Sequence, residues 1–445
     1  MYVALAVLRH RSYHSFGFDL GVFDQELWTA AQGHPFESTM SLGQATPHSM
    51  FGDHFSPALG LLVPFYFAYP HPETLLVIQT FALALGAWPV YLLAKLRLPD
   101  GYPLLWVAVY LLFIPVAYIN LYDFHEITLA VAPLGFALYF LESGKRGWFL
   151  LFLLFTFLVK EEMGLIGVGF GSYALLGKHD RKLGLGVIAG SLAIFAVTLG
   201  FVIPYFAGAH EYAYVRLRYA QVGGSPLGIL RTLFTDPLRI VHALLQAKKG
   251  YFVIGIFGPV LGLSAIAGWA ALLPLPTLGY LLLSNYEPQY SFTAQDCAPL
   301  IPLVIGTAIL ALAGLPKPAQ RPVGAAVLVS SLAFSWAFGD MPFSRKFDPA
   351  LFQTQARYAE FTPYVGQIPS DARVSAEDGF ASHLSERTHI YDWVYEGAQD
   401  AQWIVLDYAG VNYNMHVFDA DVARVESLGY ERVASGYGLA LFRKP

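Results

Sequence analysis

The chain has 445 residues, of which 13% are charged and 56% hydrophobic, and its mean hydropathy is +0.48. Soluble domains carry about 25% charged residues, so this composition excludes an ordinary soluble protein and indicates a membrane protein. The net charge of -5 argues against nucleic-acid binding, which needs a concentrated basic surface, and the single cysteine, Cys297, excludes a disulfide framework.

The first apolar run, from Met1 to Leu8, ends directly in Arg9, His10 and Arg11. That ending does not fit a cleavable signal peptide, and the run is shorter than the roughly 20 apolar residues of a crossing helix. We expect it to belong to a longer first helix whose upstream part is missing, with a short interfacial segment as the alternative.

Long apolar stretches separated by short polar loops then predict a mainly α polytopic bundle of about 10 to 11 spans. Residues 58–68 are apolar but short, and we expect a re-entrant or juxtamembrane helix there. A helical hairpin is predicted within 251–284, turning near Ser264 to Trp269. The other predicted spans are residues 73–94, 102–119, 127–141, 148–160, 163–177, 185–208, 298–315 and 323–339.

Basic residues predict the orientation of the spans, because short loops rich in Lys and Arg stay in the cytoplasm. Such residues occupy alternate loops: Lys95 and Arg97, Lys145 and Arg146, Lys178 with Arg181 and Lys182, and Lys317 with Arg321. The extracytoplasmic parts are then residues 9–57, 120–126, 160–162, 209–250, 285–297 and everything after about 340. The basic loop 209–250 opposes this assignment, but four loops outweigh one.

After Asp340 the composition becomes that of a soluble domain, and we predict an extracytoplasmic α/β domain over 340–445. Its expected elements are a strand, helix and strand in RVSAEDGFASHLSERTHIY, a strand in QWIVLDY, a helix over Ala420 to Leu428 and a hairpin in ERVASGYGLALFRK. The two preceding regions are 1–57, with the partial first helix and first outer loop, and the transmembrane domain 58–339.

Acidic and histidine residues recur at the ends of apolar segments on the predicted outer side. Ionisable groups at the hydrocarbon boundary are costly and usually face a polar cavity, so they are functional candidates. They are Asp19 and Asp24 in FDLGVFDQELW, Asp53 and His54 in FGDHFSP, Asp123, His125 and Glu126 in YDFHE, and Lys160, Glu161 and Glu162 in VKEEMG.

Each motif also has a purely structural interpretation. The alternatives are a helix N-cap for Asp19 and for Asp53, a solvated helix face for Asp24 and Glu26, a surface loop for His125 and Glu126, and a local ion pair of Lys160 with Glu161 or Glu162. No single motif excludes its alternative. Their coincidence on one face is what favours a functional site.

Carboxylates and imidazoles together can take a proton from an acceptor hydroxyl or hold a divalent cation against a phosphate. The candidate metal ligands are Asp53, His54, His125 and Glu126. Arginines pair bidentately with phosphate, and loop 209–250 mixes them with aromatics in Tyr212, Tyr214, Arg216 and Arg218. The alternative for this loop is an amphipathic helix on the lipid headgroups.

The motifs FDLGVFDQELW, GDHFSP, DFHE, VKEEMG, QYSFTAQDCAPLIP and SAEDGFASHLSERTHIY resemble the prokaryotic membrane family catalogued as domain of unknown function 2079, over nearly the whole chain. That family is similar to the GT-C superfamily of polytopic glycosyltransferases. Those enzymes transfer a sugar from a polyprenyl-phosphate carrier on the extracytoplasmic face, and their first outer loop carries an acidic catalytic residue.

The resemblance implies a plasma-membrane glycosyltransferase whose partners are membrane lipid, a polyprenyl-phosphate-linked sugar and an envelope glycan, lipid or protein acceptor. Asp19 would be the general base, with Asp24 as the alternate. His54, His125 and Glu126 would hold the donor phosphate, directly or through a divalent metal. Lys160 or Arg216 would neutralise the leaving group. The remaining substrate contacts would be Asp53, Asp123, Glu161, Glu162 and Arg218.

Two other classes of function stay open from the sequence. A transporter or flippase of a lipid-linked or anionic solute predicts ionisable groups near the bilayer midplane and inverted repeats. We find no internal repeat, and the ionisable residues lie at the ends of spans. A non-catalytic membrane scaffold would instead depend on the outer α/β domain and tolerate substitution of the Asp and His residues.

Overall fold

A computed structural model describes residues 1–34, 36–40, 48–208, 213–409 and 415–445. Helices dominate the chain up to residue 340. They are α1 (Tyr2–Arg11), α2 (Val22–Ala31), α3 (Val63–Ala68), α4 (Pro72–Leu85), α5 (Ala87–Arg97), α6 (Tyr102–Leu111), α7 (Ile114–Leu121), α8 (Val131–Glu142), α9 (Arg146–Thr156), α10 (Met163–Leu176), α11 (Arg181–Val197), α12 (Ile203–Ala207), α13 (Ala213–Arg218), α14 (Pro226–Thr235), α15 (Pro237–Leu244), α16 (Ala247–Phe257), α17 (Leu275–Leu283), α18 (Leu300–Gly314) and α19 (Lys317–Phe338).

Within the described residues, four helical segments are long and apolar enough to cross a membrane: Pro72–Arg97, Arg181–Ala207, Gln295–Gly314 and Lys317–Phe338. Two bent pairs raise the number to six if each pair is one span. The polytopic helical bundle is thus confirmed. By length alone fewer crossings are supported than the predicted number, because apolar stretches such as Arg146–Thr156 and Met163–Leu176 form helices of only 10–17 residues.

One bent pair shows how the sequence breaks a span. Helices α6 and α7 meet at 45°, and Pro115 is at the start of α7. Proline lacks the backbone N–H that would bond to the preceding turn, and its ring restricts the residue before it, so α6 cannot run on unbroken. The predicted span 102–119 is therefore two helices.

The predicted hairpin within 251–284 consists of α16 and α17, joined by short 3₁₀ turns. The Lys249 ammonium, near the start of α16, donates to the carbonyl of Ser284 at 2.8 Å, just after α17 ends. Lys248 pairs with Glu287 at 2.5 Å in the same place. The start of α16 and the end of α17 therefore lie side by side, as expected for a helical hairpin.

The C-terminal part contains every predicted element. The elements are α20 (Ala356–Val365), β3 (Val374–Ala376), α21 (Asp378–Ala381), β4 (Ile390–Asp392), α22 (Trp393–Glu396), β5 (Trp403–Asp407), α23 (Met415–Ser427), β6 (Glu431–Gly436) and β7 (Leu439–Arg443); a small pair of strands, β1 (Glu37–Ser38) and β2 (His48–Ser49), precedes them in the chain. The sheet order is β4-β3-β5-β7-β6, with the first three strands parallel and β7 antiparallel to both its neighbours.

The first outer segment packs directly against this C-terminal sheet. Met40 is part of the apolar core that includes Phe380 and Val405, and Tyr13 and Val22 pack against that core. The predicted regions 1–57 and 340–445 are therefore in contact, although they are the two ends of the chain. This contact fixes where the loop that carries Asp19 lies.

A buried carboxylate ties together the helix ends on the side predicted to be cytoplasmic. Glu142 ends α8 with its side chain 1% exposed, and it pairs with Arg97 and, at 2.7 Å, with Lys178. Tyr173 donates to it at 2.6 Å. Four elements are thus held at one point by charge-assisted bonds.

We expect Glu142→Gln to lower the free energy of unfolding by about 1–3 kcal/mol, because it leaves two cations without their carboxylate. Both cations are partly exposed, so the loss is smaller than for a fully buried pair. The measurement is the thermal unfolding midpoint in detergent, with Glu431→Gln, an exposed carboxylate 3.7 Å from Arg443, as the control. Equal midpoints for both variants would contradict this role.

Candidate functional site

A cavity of about 410 Å³, here called the central cavity, gathers residues from all four outer motifs. Its walls come from the first outer loop, the turn after α7, the turn between α9 and α10, α13, and the turns on either side of residue 290. The ionisable residues that line it are Asp19, Glu26, Asp53, His54, His125, Glu126, Lys160, Arg218 and Asp296. Seven of these were predicted from the sequence; Glu26 and Asp296 were not.

Lys160 and Glu126 form an ion pair of 2.8 Å at the floor of the central cavity, with side chains 8% and 0% exposed. Burial raises the pKa of Glu126, but the Lys160 ammonium more than offsets this and the pKa falls below its usual value. Burial likewise lowers the pKa of Lys160, yet Glu126 and its neighbours raise it overall. The expected local pair of Lys160 with Glu161 or Glu162 is thus replaced by a pair across two loops.

Asp19 lies inside a short π-helix, Gly17–Gly21, so it does not cap the following helix. One carboxylate oxygen is 3.3 Å from Nε2 of His125, and the other accepts a hydrogen bond of 2.9 Å from the Tyr122 hydroxyl. Burial raises the pKa of Asp19, but the contacts with His125 and Tyr122 lower it by more. The pKa of Asp19 therefore lies below its usual value. Asp19 is therefore held as an oriented carboxylate.

Glu161 fastens the second outer motif to the turn between α9 and α10. It contacts Nδ1 of His54 at 3.0 Å and accepts the backbone N–H of Phe55 at 3.1 Å. Asp53 pairs instead with His48 at 2.9 Å. It does not cap the 3₁₀ helix Pro57–Leu61, whose N-cap residue is Ser56.

The four candidate metal ligands point to separate partners. Asp53 pairs with His48, His54 with Glu161, and Glu126 with Lys160; His125 pairs with Asp19. Across the residues that the structure describes, no three His, Cys, Asp or Glu side chains are arranged to hold a metal ion. Each candidate ligand is thus engaged by a different side chain and the four do not converge on one point, so the residues present do not fit a divalent cation.

A second cavity of about 350 Å³, the apolar cavity, opens from the central one. The two share His54, Lys160, Tyr214, Arg218 and Asp296. Beyond these residues the walls are largely apolar and come from helices: Leu165 of α10, Phe195 of α11, Ile229 of α14, and Pro276, Gly279, Tyr280 and Leu283 of α17. Glu161 and Glu162 also line it, and burial raises the pKa of Glu162 to about 8.

Arg218 stands where the central and apolar cavities join. Its guanidinium lies 4.8 Å from the ring of Tyr214 and 4.7 Å from the ring of Tyr286. Contacts with two aromatic rings hold a guanidinium in a defined orientation. The predicted amphipathic character of this region is also present, because exposed apolar residues such as Leu227, Leu230 and Phe234 cover one side of α14.

A third cavity, of about 930 Å³, lies on the opposite side of Asp19 and is called the outer cavity. It shares Phe18, Asp19, Tyr286, Gln295 and Tyr395 with the central cavity. Aromatic rings dominate its walls, with Lys248, Lys346 and Asp378 among them. Asp378 and Tyr395 belong to the C-terminal sheet domain, so that domain forms part of the wall.

A model of the family described as "Predicted membrane protein (DUF2079)" matches residues 9–440. The chain belongs to the DUF2079 family. No curated protein sequence matches it.

Two solved structures share the fold of this DUF2079 protein. ArnT from Cupriavidus metallidurans bound to undecaprenyl phosphate aligns with a TM-score of 0.56 at 14% identity, covering 99% of this chain and 97% of that one. The same protein in the apo state gives 0.52 at 13%, covering 99% and 96%. The fold is therefore that of the GT-C glycosyltransferases.

An oligosaccharyltransferase from Archaeoglobus fulgidus, tethered with an acceptor peptide, aligns with a TM-score of 0.40 at 10% identity, covering 92% of this chain and 69% of that one. This similarity is too distant to support an inference. The comparisons thus establish the fold and the family.

Three predicted site residues of the DUF2079 protein line none of the three cavities. Asp24 is buried and accepts hydrogen bonds from Tyr66 at 2.8 Å and from Ser385 at 2.7 Å. Asp123 pairs with Arg9 at 2.9 Å and so links the loop after α7 to α1. Arg216 is exposed and does not line the three cavities. Tyr212 lies outside the described residues.

Sequence reasoning missed several residues of the site. Glu26 entered only through the structural alternative of a solvated helix face shared with Asp24. That alternative is wrong because both residues are buried where α2 bonds to the C-terminal domain. Burial and the nearby Asp53 and Glu126 carboxylates raise the pKa of Glu26 well above its usual value. Asp296 and Asp378 both lie in motifs that carry the family resemblance, QYSFTAQDCAPLIP and SAEDGFASHLSERTHIY, and that was the available signal.

The buried Asp24 predicts a specific dependence of stability on pH. Burial raises its pKa to about 8, against about 3.9 in an unfolded chain, so the folded state holds a proton that the unfolded state releases. Stability contributed by the protonated carboxyl is therefore lost as pH rises from about 4 to about 8. In Asp24→Asn the amide oxygen can accept one of these hydrogen bonds, the amide nitrogen can donate to the other hydroxyl, and the side chain does not titrate.

We expect the unfolding midpoint of Asp24→Asn to fall less between pH 5 and pH 8 than that of the wild type. The control is Asp400→Asn, whose carboxylate is 62% exposed and should leave the pH dependence unchanged. Parallel pH curves for Asp24→Asn and wild type would show that Asp24 is not protonated in the fold.

Proposed function

We propose that this DUF2079 protein is a GT-C-type glycosyltransferase that moves a sugar from a polyprenyl-phosphate carrier to an acceptor hydroxyl on the extracytoplasmic face. One observation carries the proposal. Lys160 and Arg218 lie between the central and apolar cavities, while Asp19 lies between the central and outer cavities. Two cations thus border the apolar cavity, and an oriented carboxylate borders the outer cavity.

This arrangement of an apolar cavity followed by two cations matches the chemistry of a lipid-phosphate donor. The isoprenoid chain would lie in the apolar cavity, where Phe195 and Leu199 of the helical wall offer apolar contacts. The phosphate would then reach Arg218 and Lys160 at the head of that cavity. A guanidinium binds phosphate through paired N–H groups, and an ammonium adds a point charge.

This assignment replaces the phosphate roles first given to His54, His125 and Glu126, and His54 instead contacts Glu161. His125 is occupied by Asp19, and a Glu126 carboxylate would repel phosphate were it not neutralised by Lys160. Arg218, not Arg216, is the arginine that lines the cavities. Since the residues do not fit a metal ion, no step depends on one.

The transfer itself would proceed by direct displacement. The acceptor hydroxyl enters from the outer cavity, and its oxygen bonds to the anomeric carbon of the sugar on the side opposite the phosphate. Asp19 takes the hydroxyl proton as that bond forms, which is general-base catalysis worth about 10² to 10⁴ in rate. The bond between the anomeric carbon and the phosphate oxygen breaks, and polyprenyl phosphate leaves with the configuration inverted.

The cations and His125 would support this step in different ways. Lys160 and Arg218 would stabilise the charge that develops on the departing phosphate, and they are already fixed before the reaction. His125 would hold the Asp19 carboxylate toward the acceptor, since its second ring nitrogen is 3.1 Å from the carbonyl of Asp123. The carboxylates of Glu26 and Asp296 lie where sugar hydroxyls would be oriented.

The test uses proteoliposomes loaded with a panel of undecaprenyl-phosphate monosaccharides carrying a labelled sugar, together with cell-envelope acceptor. We expect Asp19→Asn to reduce transfer by about 100-fold or more, since amides are not bases, while binding of undecaprenyl phosphate is unchanged. Arg218→Ala should instead weaken that binding. Glu431→Gln serves as the control. Transfer by Asp19→Asn at the wild-type rate would refute the base, and absence of transfer by the wild type with every donor would refute the proposal.

A further inference from the structure

The segment that carries Asp19 is held by the C-terminal domain. The backbone N–H of Gly17 donates to Oδ1 of Asp378 at 3.1 Å, across 361 positions of sequence. The backbone N–H of Phe18 also bonds to Asp378. A Cβ atom on Gly17 would lie 2.5 Å from the Cβ of Ala381, so only glycine permits this close approach.

These two N–H groups are the first donors of the π-helix Gly17–Gly21, and they have no partner within it. In most helices a side chain just before the helix accepts such bonds. Here the N-cap residue Phe16 has no side-chain acceptor. Asp378, from the C-terminal domain, caps the π-helix instead. The N–H that it accepts belongs to Gly17, two positions before Asp19.

Asp378 is itself paired with a second buried acid. Asp392 ends β4, which is parallel to β3, the strand that leads into Asp378. Asp392 accepts the N–H of Val394 at 2.9 Å through Oδ1, and among the described residues no donor reaches its buried Oδ2, which lies 3.3 Å from the position of a Cβ on Gly17. Two neighbouring acids cannot both ionise at low cost, so the charged form of the pair is disfavoured. Burial, reinforced by its partner acid, raises the pKa of Asp392 well above its usual value.

The groups that face this pair are acidic. From the π-helix comes Asp19, from the turn before α21 comes Glu377, and from α22 come Tyr395 and Glu396. Ionisation of both acids would therefore add a negative charge beside Asp19 and beside the other carboxylates. The pair can serve the site only while one of the two acids stays protonated.

We propose that Asp378, together with the neighbouring Asp392, is a positioning residue that fixes the Gly17–Gly21 segment through the N–H of Gly17 and so aims Asp19 at the acceptor. The C-terminal domain is then an integral part of the active site. The catalytic consequence rests on the proposed function, whereas the positioning of the segment does not. A displacement of about 1 Å at a reacting group can reduce a rate about 100-fold.

The experiment compares Asp378→Ala, Asp392→Asn and a control, Asp407→Asn, each as the full chain in nanodiscs. Asp407 is an equally buried carboxylate of the same domain, bonded to Arg357 at 2.6 Å and to Tyr358 at 2.7 Å, and it is not a partner of the Gly17–Gly21 segment. Three quantities are measured: amide hydrogen exchange of the peptide containing residues 16–21, binding of undecaprenyl phosphate, and sugar transfer against pH.

For Asp378→Ala we expect at least tenfold faster exchange at Gly17 and Phe18, unchanged binding of undecaprenyl phosphate, and transfer reduced by about 100-fold. Asp392→Asn keeps a polar side chain of the same size beside Asp378 without a titrating proton. It should retain slow exchange and near-wild-type transfer, and its activity should persist to higher pH than that of the wild type.

Unchanged exchange in Asp378→Ala, or an equal increase in Asp407→Asn, would overturn the proposal, because the segment would then be held by something else or would respond to general loosening. Faster exchange with undiminished transfer would also overturn it. If the wild type transfers no sugar, the glycosyltransferase function fails, and hydrogen exchange still decides whether the pair positions the segment.

Discussion

The structure depends on the neutralisation of charge that is buried at the end of the helical bundle where the central cavity lies. An isolated ion in a medium of low dielectric constant is strongly disfavoured, so each buried ion must find an opposite partner. Lys160 and Glu126 meet this requirement at 2.8 Å, and they come from two different loops. Their pairing therefore fixes the turn between α9 and α10 against the turn after α7.

The residues next to Lys160 and Glu126 in the chain also pair with side chains of other motifs. Glu161 adjoins Lys160 in sequence and binds His54 and the N–H of Phe55, which adds the second outer motif. His125 adjoins Glu126 and binds Asp19, which adds the first. Four motifs on three loops are thus linked through adjacent residues, and the cavities between them are consequences of this linkage. Preorganised charge of this kind is what stabilisation of a transition state requires.

Several features of this arrangement could be predicted from the sequence because they are local. Hydropathy located the long helices, alternation located the C-terminal strands, and the position of each motif at the end of an apolar stretch placed most of the ionisable residues on one side. The partners were not predictable. Lys160 has two carboxylates beside it in the chain but pairs with one 34 positions away, and Asp378 reaches Gly17 across almost the whole chain. Such contacts depend on tertiary packing.

The central claim is that a polyprenyl phosphate lies in the apolar cavity with its phosphate at Arg218, on the far side of Asp19 from the outer cavity. The most direct measurement is photocrosslinking with undecaprenyl phosphate that carries a photoreactive group in its first isoprene units, followed by peptide mapping. We expect labels on α10, α11 and α17, around Leu165, Phe195 and Pro276, and competition by unlabelled lipid. Labels concentrated on Tyr251 and Phe292 of the outer cavity would contradict this claim.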